Sequence, residues 1–293
     1  MNTKDLLLSY LSPSIAKHLQ IRFSELSENY ENLTELRLRA DKPILAYKML
    51  QEYQVNYKPS PSDIADTVER ISQYSLYAME EELRMGYLSL PGGHRVGVTG
   101  RVVLDGGSIR PIKTIRPISG LNIRICRAIP GCGEGILPKI LKHNCMIISP
   151  PGCGKTTLLR DLVRLMSDKH GLTVGLVDER SEIAGCYKGV SQHDVGIRTD
   201  ILDGCPKAEG MMLLLRAMAP DVIVVDELGS AGDALAVENV LNAGVRLLCS
   251  VHGYSLEDVR QKPNLQSLFA KGVFTKFVVL EAPGKEGIVY DSY

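Results

Sequence analysis

The segment Ser149-Pro150-Pro151-Gly152-Cys153-Gly154-Lys155-Thr156-Thr157 has residue types and spacing suited to holding a chain of phosphates. It fits the pattern G-x-x-x-x-G-K-[ST] at Gly154, Lys155 and Thr156, with Ser149 at the first glycine position. Gly152 and Gly154 let the backbone curl, so that the amide N–H groups of Pro151 to Thr157, the prolyl nitrogen excepted, converge on an anion at a helix N-terminus. Lys155 supplies a point charge for the outer phosphates, and the Thr156 hydroxyl is a ligand for Mg²⁺. Ser149 is small enough to keep the turn but lacks the freedom of glycine at positive φ.

A second acidic feature follows. Asp221-Val222-Ile223-Val224-Val225-Asp226-Glu227 is an apolar strand ending in two carboxylates. In this setting Asp226 would complete the Mg²⁺ shell, and Glu227 could polarise the attacking water. Two further apolar strands end in polar groups: Val174 to Asp178, running into Glu179-Arg180-Ser181-Glu182, and Leu247 to Val251, ending at His252. The cofactors this chemistry calls for are ATP and Mg²⁺.

The elements that must carry these residues are legible from periodicity. After about residue 130, apolar runs (Cys145–Ser149, Thr173–Asp178, Val222–Asp226, Val245–Val251) alternate with helical stretches (Lys155–Ser167, Ala208–Met218, Asp233–Asn242). That alternation predicts a mostly parallel sheet covered on both faces. Earlier in the chain, residues 2–20 read as helical material broken at Ser12-Pro13. Leu33–Ala40 alternates, with Leu36 and Leu38 on one side and Arg37 and Arg39 on the other. Ile44–Met49 is its expected partner strand. Ser62 is the expected N-cap of one long helical pattern reaching Gly86 through Leu76. Tyr87–Leu90, Val96–Leu104 and Leu121–Cys126 read as strands separated by glycine turns, including Asp105-Gly106-Gly107. The Gly- and Pro-rich stretch Ala128–Gly135 is the expected linker. The fold class is therefore α/β, a P-loop domain over 130–293 preceded by a smaller α+β domain over 1–129.

Composition narrows the partners. With 44% hydrophobic and 23% charged residues, wholesale disorder is excluded. Net charge is +0, so overall charge proposes no polyanion. Locally, Arg95, Arg101, Arg110, Lys113, Arg116, Arg124 and Arg127 face one acid, Asp105. This bias fits a solvated face, a lipid or subunit surface, or a surface that meets phosphate. Few aromatics interleave with these arginines, which argues against a nucleic-acid stacking platform. The seven cysteines form no metal- or disulfide-type spacing and fit a reducing compartment. No stretch reaches the roughly 18–20 apolar residues of a spanning helix. The expected location is the cytoplasm.

Taken in order, the phosphate loop, the acid-rich Asp178–Glu182, the Leu215-Arg216-Ala217-Met218-Ala219-Pro220-Asp221 approach to the acidic strand and the His252 strand resemble the secretion-type ATPase superfamily. That superfamily powers type II and type IV secretion and pilus extension or retraction. The likeness runs from Cys145 to about Tyr254. Glu35-Leu36-Arg37-Leu38-Arg39-Ala40 and Gly97-Val98-Thr99-Gly100-Arg101 extend it to the branch serving the sporulation channel of endospore-forming bacteria. The resemblance implies a RecA-like core and a hexameric homo-oligomeric ring on the cytoplasmic face of a membrane-embedded channel. It implies Glu182 as a water-orienting candidate beside Glu227, and His252 as the group that senses the γ-phosphate. It also implies nucleotide-clamping arginines from the first domain, with Arg101 and Arg124 as candidates and Arg95 a further one. Many members have Gly-Glu where this chain has Asp226-Glu227, which leaves the choice of base open between Glu182 and Glu227. A nucleic-acid-stimulated motor and an ATP-binding scaffold without turnover are the alternatives.

Overall fold

The computed structural model describes residues 3–25, 33–48, 51–73, 75, 79–106, 112–126, 128–282 and 287–292. The expected positions at Asn2, Met49, Leu76, Gly107, Arg110 and Arg127 lie outside the described residues. The chain divides into two compact units, Met1–Cys126 and Arg127–Tyr293.

The first unit runs α1 (Thr3–Tyr10), α2 (Pro13–Glu25), β1 (Leu33–Arg39), β2 (Ile44–Lys48), β3 (Gln51–Val55), α3 (Pro61–Ile71), α4 (Glu80–Arg84), β4 (Tyr87–Leu90), β5 (His94–Leu104) and β6 (Ile112–Arg124). Its six strands form one antiparallel sheet in the order β3-β2-β1-β6-β5-β4. Strand alternation sends Leu36 and Leu38 of β1, Leu121 and Ile123 of β6, and Val96 and Val98 of β5 into the core. Arg37 and Arg39 stand on the opposite face, as the alternation requires.

Two expectations change here. The helical pattern starts two residues earlier, because Ser60 and Asp63 close a reciprocal capping box in which the Ser60 hydroxyl accepts from the Asp63 N–H. Ser62 lies inside the helix. The pattern is also two helices, since Ser72 caps α3 and Gln73 adopts φ 50°, a left-handed geometry that ends it. The polar edge strand β3 carried too little apolar alternation to be seen in the sequence.

The second unit runs α5 (Leu137–Ile140), β7 (Cys145–Ser149), α6 (Lys155–Asp168), β8 (Val174–Asp178), β9 (Thr199–Asp203), α7 (Lys207–Ala217), β10 (Val222–Val225), α8 (Ala231–Asn242), β11 (Arg246–His252), α9 (Leu256–Arg260), a 3-10 turn (Pro263–Leu265), α10 (Gln266–Ala270), β12 (Lys276–Val279) and β13 (Ile288–Asp291). The sheet order is β13-β12-β7-β11-β10-β8-β9, parallel throughout except for the edge strand β13.

Both faces of this sheet are covered, which explains why its strands are continuously apolar. Met146, Ile148, Ile223 and Val225 enter one core with α7, α8 and α10, while Cys145, Ile147, Val222 and Val224 enter the other with α5 and α6. The Gly-rich stretch after residue 128 is not a free linker. The Gly133 N–H donates to the buried Asp161 carboxylate at 2.8 Å, and Gly133 lies so close to Leu162 that an added Cβ would stand 2.9 Å from it. Among the described residues no helix is long and apolar enough to cross a membrane.

Candidate active site

The phosphate loop connects β7 to α6. Gly152 (φ 78°) and Gly154 (φ 89°) carry its left-handed turns, and Gly154 is the N-cap of α6 without any side-chain cap. An added Cβ at either glycine would meet nothing within 4 Å. Glycine is thus required here for backbone conformation rather than for lack of room, and the space over the loop is open. Ser149 does not use positive φ. It ends β7 fully buried, in register with His252, and its hydroxyl donates to the Pro150 carbonyl at 2.8 Å. The loop therefore does not call for a left-handed residue at position 149. Pro151 is exposed, Cys153, Thr156 and Thr157 are half-buried, and Lys155 is buried. A Gly154→Ala variant is expected to cost about 1–2 kcal/mol, the penalty of a left-handed L-residue. A thermal melt should show it as a drop of about 2–8 °C.

Lys155 does not point into solvent. Its Nζ lies 3.0 Å from Glu227 Oε1 and 3.3 Å from Asp226 Oδ1. His252 Nε2 reaches the same Glu227 Oε1 at 2.7 Å, and Arg180 meets Oε2 at 2.8 Å. Burial alone would raise the Glu227 pKa, but the hydrogen bond and charge of Lys155, with the charges of Arg180 and His252, hold it below the usual carboxylate range. Ser250, buried in β11, donates to Asp226 Oδ1 and accepts the Glu227 N–H at 2.9 Å. That pair of bonds fixes the end of β10, where Glu227 adopts φ 52°.

Topology explains the convergence. Strands β7, β11, β10 and β8 are neighbours and parallel, so their carboxyl ends open on one edge of the sheet. Lys155 follows β7, His252 ends β11, Asp226 and Glu227 follow β10, and Arg180 follows β8. The turn after β8 is pinned by Asp178, whose Oδ1 accepts from Glu182 N at 2.9 Å and whose Oδ2 accepts from Ile183 N at 3.0 Å and Ala184 N at 2.8 Å. Glu182 is half-buried in this turn, and its carbonyl accepts from Arg160 at 2.7 Å.

Asp178 is a buried group with a pH signature. Desolvation raises its pKa to about 6 in spite of the three N–H donors and with some help from Asp203. The unfolded chain releases that proton near pH 4. Between the two values the folded state holds the extra proton, so this group's contribution to stability falls as pH rises through that window. Melts of the parent chain and Asp178→Asn across pH 4–7 should show their difference moving against the parent up to about pH 6 and then levelling.

Arg101 and Arg124 belong to the first unit. Both are exposed on its sheet, Arg101 in β5 and Arg124 in β6, where Arg124 is the register partner of Arg95. Arg95 itself lies over the Tyr87 ring at 3.7 Å. Two residues of the cluster were not singled out from the sequence as site residues. Ser250 is a polar residue within an apolar strand two places before His252, and that was the available signal. Arg180 stood inside the acid-rich segment and was overshadowed by its neighbours.

This fold is that of RecA-type secretion ATPases. The X-ray structure of the Legionella pneumophila ATPase DotB superimposes with a TM-score of 0.60 at 16% identity, covering 92% of this chain and 76% of that one. The pilus retraction motor PilT, solved with bound ADP, gives 0.59 at 14% identity over 92% and 80%. Residues 1–293 match the family described as "Sporulation stage III, protein AA". Stage III sporulation protein AA of Bacillus subtilis (strain 168) is 40% identical over 295 aligned positions, 97% of this chain and 95% of that protein. The chain belongs to the sporulation stage III protein AA family.

Proposed function

We propose that the chain is a Mg²⁺-dependent ATPase, the motor of a secretion-type apparatus in sporulation. The observation that carries this reading is the meeting of Lys155, Asp226, Glu227 and His252 at the edge of the sheet onto which the glycine loop also opens. The donor set fits Mg²⁺. Among the described residues no group of three or more His, Cys, Asp or Glu forms a protein cage. Mg²⁺ binds through one or two protein oxygens plus phosphate oxygens and water, and Thr156 and Asp226 are suited to supply the protein oxygens. Bound there, the ion would neutralise charge on the phosphates.

The chain's own residues do the rest. The N–H groups of the loop through Thr157, at the start of α6, cradle the phosphates, and Lys155 turns from Glu227 to them. Glu227, freed of Lys155, orients the attacking water and accepts its proton. His252 responds to whether the γ-phosphate is present. We read Glu182 as the second candidate carboxylate, subordinate to Glu227, which holds the direct contact with Lys155. Arg101 and Arg124 of the first unit are the arginines this reading assigns to the phosphates, and a ring of subunits, hexameric in this reading, follows from arginines acting across an interface. Family membership supports docking from the cytoplasm onto the membrane-embedded channel between mother cell and forespore.

Phosphate release from ATP, with and without EDTA, tests the reading. Release that stops on chelation is expected, from a species that sediments as a ring. ATP bound by folded protein without release would replace the motor with a scaffold. Release driven by polynucleotide, with binding that falls steeply with salt, would point to a nucleic-acid motor instead.

A further inference from the structure

We propose that Arg180 is a γ-phosphate-binding arginine supplied in cis, from the turn after β8. The proposal rests on the nucleotide-site reading above and adds a residue to it. Three nitrogen-bearing side chains, two of them cations, gather on the single carboxylate of Glu227: Lys155 at 3.0 Å and His252 at 2.7 Å on Oε1, and Arg180 at 2.8 Å on Oε2. A carboxylate and the face of a phosphate present similar oxygens to such donors. The groups collected on Glu227 are therefore those that stand ready for a terminal phosphate when one arrives. Lys155 and His252 have roles on this account, and Arg180 completes the set.

The placement of Arg180 supports this use. Its side chain is 58% exposed while its Glu227 partner is 18% exposed, so the guanidinium lies on the solvent side of the cluster. The turn beneath it is rigid. Asp178 takes the N–H groups of Glu182, Ile183 and Ala184, and Ser181, at φ 53°, bonds Asp203. A pinned backbone with a long exposed side chain lets the guanidinium swing between two anions without moving the strand. Its planar fork matches two phosphate oxygens at once, which an ammonium cannot do. Glu227 then works as a stand-in anion, holding Arg180 and Lys155 near where the γ-phosphate enters.

Equilibrium binding of ADP and of a slowly hydrolysed ATP analogue, with Mg²⁺, tests this on the full chain. In Arg180→Ala the preference for the analogue over ADP should fall by about 10- to 100-fold, the worth of a hydrogen bond to a charged group. ADP affinity and the melting temperature should stay close to the parent values. Arg180→Lys should recover part of the preference but not all. An unchanged preference, or equal losses for both nucleotides, would overturn the role of Arg180 while leaving the nucleotide site standing. Failure of the parent chain to bind either nucleotide would remove the site reading itself, and this proposal with it.

Discussion

The Glu227→Gln variant should bind ATP at least as tightly as the parent chain while turning it over about 10²- to 10⁴-fold more slowly. Both halves follow from one geometry. The Glu227 carboxylate competes with phosphate for Lys155, Arg180 and His252, which lie 2.7–3.0 Å from its oxygens. A neutral amide of the same shape gives up that competition, and it cannot accept the proton of the attacking water. Single-turnover phosphate release measured beside equilibrium binding separates the two effects. If Glu182→Gln loses turnover and Glu227→Gln keeps it, the base is Glu182 and the direct contact with Lys155 has another purpose.

Lys155→Ala should lower both turnover and stability. The ammonium is the one cation of the cluster that is buried, 7% exposed, and it bridges Asp226 and Glu227. Its loss removes the charge offered to the outer phosphates, for which a fall in turnover of about 10²- to 10³-fold is expected. It also leaves two neighbouring carboxylates facing each other, with Glu227 still held by Arg180 and His252. That should cost about 1–3 kcal/mol of stability, well short of stranding an unpaired buried charge. A melt alongside the activity assay therefore belongs to this test. Lost turnover with a melting temperature only a few degrees lower is the expected pair of results.

The sequence is most legible where one periodicity meets one chemistry. Cys145–Ser149 entering a glycine loop, and Val222–Val225 entering two acids, could only sit as buried parallel strands, because each is apolar on both sides. The alternation of Leu36, Arg37, Leu38 and Arg39 likewise assigned faces in the first sheet. Structure resting on local polar bonding was harder to see. The Ser60–Asp63 capping box displaced the expected cap by two residues, and Gln73 broke a pattern whose apolar spacing continued past it. β3, β9 and β13 are edge or near-edge strands, whose half-exposed side chains give no continuous apolar run. Within the site, the sequence brought Lys155, Asp226, Glu227 and His252 to strand ends. It could not reveal that Glu227 gathers Lys155, Arg180 and His252, because that depends on strand order, and only the order β7-β11-β10-β8 makes these ends adjacent. Ser149 shows the opposite case. A departure from the loop pattern whose effect the sequence left open lies outside the left-handed turns, which sit at Gly152 and Gly154.

The most direct test is a structure of the full chain with Mg²⁺ and a slowly hydrolysed ATP analogue. The account predicts the triphosphate on the loop from Gly152 to Thr157, with Lys155 moved off Glu227 and onto the phosphates, and His252 beside the terminal one. A nucleotide bound elsewhere, or one seated on the loop while Lys155 still bridges Asp226 and Glu227, would contradict it.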